Sequence, residues 1–351
     1  MFPAFQPSET LFTFARSKYY YTITPESMAR ILGIGNALVD IIVFIEDDRL
    51  LELLELPKGS MQLVDIQKSG MIRDACEGFA TSFASGGSAA NTIYGLARLG
   101  LETSFIGKIG NDDYGSIFRS DLERSNIRPL LFISDTHSGR AVALISPDTE
   151  RTFATHLGAA VELQAADLLP EHFGKHDFLH VEGYLVQNHS LLERALQLAR
   201  EHGLTISLDM ASYNIVEENL GFLQYIINEY IDIVFANEEE ARAFTGKEPG
   251  EALNVMAGMC RIAVVKVGKS GSLIKSGAEI FRIEAFDTSV VDTNGAGDIY
   301  AAGFLYGLSR GWPLDKCGKT GAMLAAKLIA MSGARLDEKS WNEILPLLKL
   351  Q

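Results

Sequence analysis

Residues 292–298 read Asp292-Thr293-Asn294-Gly295-Ala296-Gly297-Asp298, and the chain continues as Ile299-Tyr300-Ala301-Ala302-Gly303-Phe304-Leu305-Tyr306-Gly307-Leu308. A Gly/Ala-rich turn therefore feeds straight into an apolar helix. Residues without bulky side chains let the backbone approach a ligand closely. The first turn of a helix also leaves N–H groups without intrahelical partners, so the turn is expected to hold an anion, with phosphate the natural guest. A carboxylate at Asp298, beside that anion, is placed to take a proton from an attacking hydroxyl. Alone, the same Asp reads equally well as an ordinary helix cap. The glycine pair and a second motif tip the reading toward chemistry.

That second motif is Ser85-Gly86-Gly87-Ser88-Ala89-Ala90-Asn91-Thr92-Ile93-Tyr94-Gly95-Leu96-Ala97-Arg98-Leu99-Gly100. Its di-glycine falls between a strand and a helix, where a hinge would have to absorb large changes in φ and ψ. Asn91 lies in the first helical turn, and its amide can both donate to and accept from a polyhydroxylated ligand. By itself this is a simple strand-turn-helix connection.

Outward from these motifs, apolar runs at Ile31–Gly35, Thr103–Gly107, Asp177–Val181, Leu204–Leu208, Ile231–Ala236 and Ile262–Val267 read as strands. They alternate with amphipathic helix patterns at Ser88–Leu99, Ser190–His202 and Glu238–Thr245. Such alternation predicts an α/β fold, a doubly wound, mostly parallel sheet flanked by helices. Ile41–Ile45, Ser60–Asp65, Phe79–Ser85 and Leu130–Ile145 read instead as strands without long helices between them. They predict a small antiparallel β lid built from segments at about 41–66, 78–86 and 130–146. Asn36 and Asp40 are placed at the end of the first core strand, where open α/β sheets put their ligands. Asp40 can accept from two adjacent hydroxyls and would reject an acceptor lacking one. Leu38 stands where the third glycine of a dinucleotide fingerprint would be, which argues against a Rossmann dehydrogenase.

The chain carries 31 Lys and Arg against 45 Asp and Glu, a net charge of −14, which argues against a nucleic-acid binder because phosphate backbones are held by clustered cations. A small phosphate ligand held by local backbone dipoles stays compatible with it. Cys76, Cys260 and Cys317 show no zinc or disulfide spacing, and His172, His176 and His180 straddle Gly174 and a strand rather than one helical face. With no apolar run of membrane-spanning length, a reducing, cytoplasmic setting is expected. Residues 1–27 hold seven aromatics and balanced charge, do not read as a signal peptide, and are expected to lie upstream of a natural start at Met28. Residues 28–351 then form one domain. An aromatic arm docking on that domain is the functional alternative.

Taken together, the two glycine motifs resemble the signatures of the ribokinase/PfkB family of ATP-dependent kinases. The resemblance covers nearly all of residues 29–337 and extends to Phe105–Asp112, Tyr114-Gly115, Asn237–Glu240, Lys266–Gly271 and Gly333-Ala334. It implies a ribokinase-like fold with Asp298 as catalytic base and Gly295, Ala296 and Gly297 as anion hole. It gives Asn237 and Glu240 the organisation of Mg²⁺ through water. Asn237, Arg151, Gly268, Gly271 and Thr293 would contact ATP, although Lys266 stands where many relatives carry Thr. Acceptor contacts fall to Asn36, Asp40, Gly86, Gly87, Ser88 and Asn91, with Leu38, Tyr184 and Leu185 as an apolar cleft or simply as core. ATP and Mg²⁺ are the implied cofactors, and the resemblance leaves room for a monovalent cation such as K⁺. It implies a small-molecule partner, no nucleic acid or membrane, and a monomer or lid-mediated homodimer.

Gly35-Asn36-Ala37-Leu38-Val39-Asp40, Lys58-Gly59-Ser60-Met61 and Gly183-Tyr184-Leu185 are more similar to the bacterial adenosine-kinase-like branch than to sugar kinases. The implied reaction is transfer of the ATP γ-phosphate to the 5′-hydroxyl of adenosine or a related ribonucleoside, with a fructokinase- or ribokinase-like sugar kinase as the alternative. A catalytically silent regulator on the same scaffold is a third reading, and the presence of Asp298, Gly295 and Gly297 argues against it.

Overall fold

The computed structural model describes residues 29–349 apart from Ala80 and Thr149. The expectations for residues 1–27 and for a start at Met28 lie outside the described residues. In chain order the strands are β1 (Arg30–Ile34), β2 (Leu38–Phe44), β3 (Met61–Leu63), β4 (Thr81–Gly86), β5 (Glu102–Gly110), β6 (Ile127–Ser134) and β7 (Gly139–Ile145). They continue with β8 (Arg151–His156), β9 (Phe178–Glu182), β10 (Thr205–Asp209), β11 (Ile233–Asn237), β12 (Ile262–Lys266), β13 (Ser272–Ser276) and β14 (Glu279–Ile283).

The large sheet runs β14-β13-β12-β11-β10-β9-β1-β5-β6, parallel from β12 through β6 and antiparallel only at β13 and β14. Every core strand expected from the sequence lies in it. The central strands β1, β5 and β9 to β12 are buried at nearly every position because both faces are covered. Alternate residues feed two cores: Ile31, Phe105, Phe178 and Phe235 pack on one face, Leu32, Ile106, Leu179 and Val234 on the other. Helices Ser88–Arg98, Ala296–Ser309 and Leu314–Ile329 cover the first face. Helices His189–Glu201, Leu220–Glu229 and Pro249–Met259 cover the second. Strand order reverses between β1 and β9, which opens a crevice at their carboxyl ends.

A second sheet, ordered β3-β8-β7-β2-β4, forms the lid. It departs from the sequence reading in four ways. The sheet is mixed, since β2 pairs parallel with β7 and β3 parallel with β8. Strands β2 and β7 each leave the carboxyl end of a core strand, β1 and β6, so they enter the lid in the same direction. The apolar stretch 130–146 divides: β6 pairs with β5 as the edge of the large sheet, and only β7 belongs to the lid. Strand β8, which begins at Arg151, is a lid strand the sequence reading lacked. Finally, Asp40 lies inside β2, not at the end of a core strand. The lid is thus built by two excursions of the chain, β2 to β4 and then β7 to β8, with the strands of the second seated between those of the first. Among the described residues no helix is long and apolar enough to cross a membrane.

Candidate active site

The turn before helix Ala296–Ser309 supplies the first part of the site. Gly295 caps that helix at φ +73°, and a Cβ there would press on Ala334 at 2.8–3.0 Å, so glycine is required on both counts. The helix N-terminus opens into a cleft of about 1210 Å³ lined by Thr293, Gly295, Ala296, Gly297 and Asp298, although the Ala296 N–H already donates to the Thr293 carbonyl oxygen at 3.2 Å.

Asp298 is held by two donors from the opposite helix. Ser88 Oγ donates to its Oδ1 at 2.7 Å and Asn91 Nδ2 to its Oδ2 at 3.1 Å. Both donors also line the cleft. Burial pushes the Asp298 carboxyl up to about 6; Asp209 pushes the same way, while Ser88, Asn91 and Lys266 pull it down. A carboxylate with that value is ionised at neutral pH and basic enough to accept a proton.

The di-glycine lies next to it. Gly87 sits at φ +98°, where a Cβ would strike the Asn36 carbonyl oxygen, and a Cβ on Gly86 would overlap the Asp40 carboxylate. The two glycines therefore let β4 pass close to both residues expected to meet the acceptor. Asn36 Nδ2 donates to Glu182 Oε1 at 2.8 Å, and Glu182 Oε2 accepts from the Ala89 N–H at 3.1 Å. Glu182, only 2% exposed, staples the end of β1 to the helix behind the hinge. Burial raises it to about 7 and raises Asp40 to about 6. Leu38 and Asp40 point into the cleft on alternate positions of β2, and Tyr184 lines it too. Leu185 belongs to the second core.

On the far side, Asn237 and Glu240 close a reciprocal capping box. Asn237 N and Nδ2 donate to the two Glu240 oxygens, and the Glu240 N–H returns a bond to Asn237 Oδ1, all at 2.8 Å. Both residues line the cleft. Burial, with Asp209 second, raises Glu240 to about 7. The hard oxygen donors Asn237, Glu240 and Asp209 suit Mg²⁺ held through its water shell, since the capping box already occupies both Glu240 oxygens. Lys266 Nζ pairs with Asp209 Oδ2 at 2.9 Å and lies 2.9 Å from where a Gly297 Cβ would be. A cation thus abuts the N-terminal turn of helix Ala296–Ser309. Gly268 and Gly271, at φ +51° and +88°, shape the loop after β12, and both line the cleft. Arg151 Nη1 pairs with Asp292 Oδ2 at 2.8 Å and Nη2 with Ser332 Oγ at 2.6 Å, so it is bound to the segment before that helix rather than open to the cleft.

Sequence reasoning missed Asp209 and Glu182. Each ends a buried strand, β10 and β9, and a carboxylate closing an otherwise apolar run is the signal that was there to read. It also missed the cleft face of the lid, where Met61, Leu63, Ala141, Phe153 and Leu157 join Leu38.

A doubly wound sheet, a lid over its switch point and a buried carboxylate beside a helix N-terminus fit a phosphotransferase acting on an alcohol. The chain belongs to the pfkB family of carbohydrate kinases, whose pattern it matches over residues 61–341. It is 30% identical over 264 residues to a 5-dehydro-2-deoxygluconokinase of Geobacillus thermodenitrificans, covering 70% of this chain and 78% of that one. Among solved structures it is similar to a probable sugar kinase of Rhizobium etli, with TM-score 0.82, 31% identity and coverage of 92% of this chain and 99% of that one. It is likewise similar to the adenosine kinase of Sinorhizobium meliloti, with TM-score 0.81, 32% identity and coverage of 92% and 100%.

Proposed function

We propose that the protein transfers the γ-phosphate of ATP to the 5′-hydroxyl of adenosine or a closely related ribonucleoside. The observation that carries the acceptor is the lid's cleft face. Leu38, Met61, Leu63, Phe153 and Leu157 offer an apolar surface suited to a planar base, beside Asp40, whose two oxygens suit a ribose diol. Likeness to the Sinorhizobium adenosine kinase supports the same reading.

In this mechanism Asp298 accepts the proton of the acceptor hydroxyl as its oxygen bonds to the γ-phosphorus. The bond from that phosphorus to the β,γ-bridging oxygen breaks, and ADP leaves. The N–H groups at Gly295 and Gly297 face the developing charge without having to reorganise, whereas the Ala296 N–H, which donates to the Thr293 carbonyl oxygen at 3.2 Å, has to share or leave that bond. Lys266, shared with Asp209, and Arg151, tied to Asp292, supply positive charge on either side of the turn. Mg²⁺, when bound through Asn237 and Glu240, neutralises phosphate charge. Lid closure excludes water and suppresses ATP hydrolysis. The same reading has the enzyme working in the cytoplasm on a small acceptor, as a monomer or lid-mediated homodimer, with no nucleic-acid or membrane partner.

A sugar kinase is the second reading, favoured by the name of the Geobacillus relative. Purified protein with Mg-ATP and a panel of adenosine, other nucleosides, ribose, fructose and 5-dehydro-2-deoxygluconate separates the two. Adenosine is expected to have the highest kcat/KM. Turnover of a sugar without turnover of adenosine would reverse the order.

A further inference from the structure

Arg335 follows Gly333 and Ala334 in the segment after helix Leu314–Ile329, and it touches three separate parts of the chain. Its Nη1 pairs with Asp121 Oδ2 at 2.7 Å, on helix Asp113–Arg124. Its Nη2 donates to Ser85 Oγ at 2.6 Å and to the Ser85 carbonyl oxygen, one residue before the end of β4. Its Nε points at Asn91 Oδ1, 3.4 Å away, and its guanidinium carbon lies 4.2 Å from the centroid of the Tyr94 ring. Asp121 completes the arrangement by accepting from Ser85 N at 2.9 Å and Ser85 Oγ at 2.6 Å. The Arg335 and Asp121 side chains are 15% and 18% exposed, so water competes weakly for these bonds.

Two consequences follow from the geometry. Ser85 directly precedes Gly86-Gly87, so the lid's return strand is fastened to the body next to the di-glycine expected to act as its hinge. The Asn91 amide is also oriented: with its oxygen toward the guanidinium, its Nδ2 faces Asp298 Oδ2 at 3.1 Å. Turned over, the amide would set an oxygen against a carboxylate and a donor against a cation. The segment carrying Arg335 also backs the anion hole. Gly333 N donates to Asp292 Oδ2 at 2.7 Å, and Ala334 abuts Gly295.

We propose that Arg335 is a positioning residue that clasps the lid hinge to the body and, through the Asn91 amide, sets the orientation of the Asp298 carboxylate. The clasp stands on geometry alone, whereas its effect on rate rests on the kinase reading. Lysine cannot replace it, because one point charge cannot serve Asp121, Ser85 and the Tyr94 face together.

The full chain and its Arg335→Gln, Arg335→Lys and Asp121→Asn variants are compared by amide hydrogen exchange without ligand and by steady-state kinetics with Mg-ATP and adenosine. In all three variants, exchange over residues 81–91 is expected to rise by about tenfold or more, the scale of a lost charged hydrogen bond. Exchange elsewhere should hold. Turnover should fall on the order of 10²-fold for Arg335→Gln, the scale of a misplaced catalytic group, with KM for ATP changed little. The losses in Arg335→Gln and Asn91→Ala should not add, since both act through one amide. Unchanged exchange at the hinge, or a rise spread over the whole chain, overturns the clasp. Additive kinetic losses overturn the route through Asn91. A wild-type protein that phosphorylates no acceptor counts against the kinase reading, and the exchange measurement still decides the clasp.

Discussion

Four carboxylates, Asp40, Glu182, Glu240 and Asp298, meet in one cleft, and burial holds each above its ordinary range. For Asp298, raised to about 6, the consequence is kinetic. Below that value the base is protonated, so kcat/KM for the acceptor should fall about tenfold per pH unit in an initial-rate profile; a flat profile from pH 5 to 8 contradicts the assigned base. Asp298→Asn should abolish phosphoryl transfer while ATP binding, read by calorimetry, persists. For Glu182, raised from 4.5 to about 7, the consequence is stability. A carboxyl whose folded pKa exceeds its unfolded value costs stability as pH rises between the two, and Glu182→Gln removes that cost. The difference in Tm, variant minus wild type, should therefore move in the variant's favour from pH 5 to 8, measured by scanning calorimetry. Asp298 and its glycines were legible in the sequence because one contiguous turn carries them. Glu182, Asp209 and Arg335 were not, since their partners lie 93, 57 and 250 residues away along the chain.

The elements of the large sheet were legible for a related reason. Strands covered on both faces are short apolar runs, and the helices between them are amphipathic, so period and length alone separate the two. Among the lid strands only β7 is buried throughout, and β6, most of whose residues are half-buried, pairs with the core. Nothing local distinguishes which sheet such a strand joins. The hinge is the element on which the site depends most. Gly86→Ala would drive a methyl into the Asp40 carboxylate, and Gly87→Ala would add a positive-φ penalty to a clash with the Asn36 carbonyl. Gly86→Ala should raise the acceptor KM on the order of tenfold or more, since displacing Asp40 costs at least one charged hydrogen bond, and leave ATP affinity near wild type. Steady-state kinetics with each substrate varied in turn makes the distinction.

At the scale of the molecule, a net charge of −14 surrounds a cleft that must admit a polyanion. Local dipoles and the Lys266 cation lie at the cleft itself, whereas the surface charges act through solvent and are screened by salt. Raising ionic strength from about 10 to 150 mM should therefore tighten Mg-ATP binding modestly, by about twofold, as the Debye length shrinks from roughly 30 to 8 Å. Weaker binding over that range would assign the dominant contacts to exposed cations. The interleaving of the two lid excursions bears on how this protein can be altered. Neither excursion is a cassette: removing β7 and β8 leaves β3 without a partner and bares one edge of β2, and grafting only one loop from a relative mismatches the strands that must lie beside it. Acceptor preference can thus be transplanted between relatives only by exchanging both segments together, which makes the lid a composite unit of inheritance despite its separation in the chain.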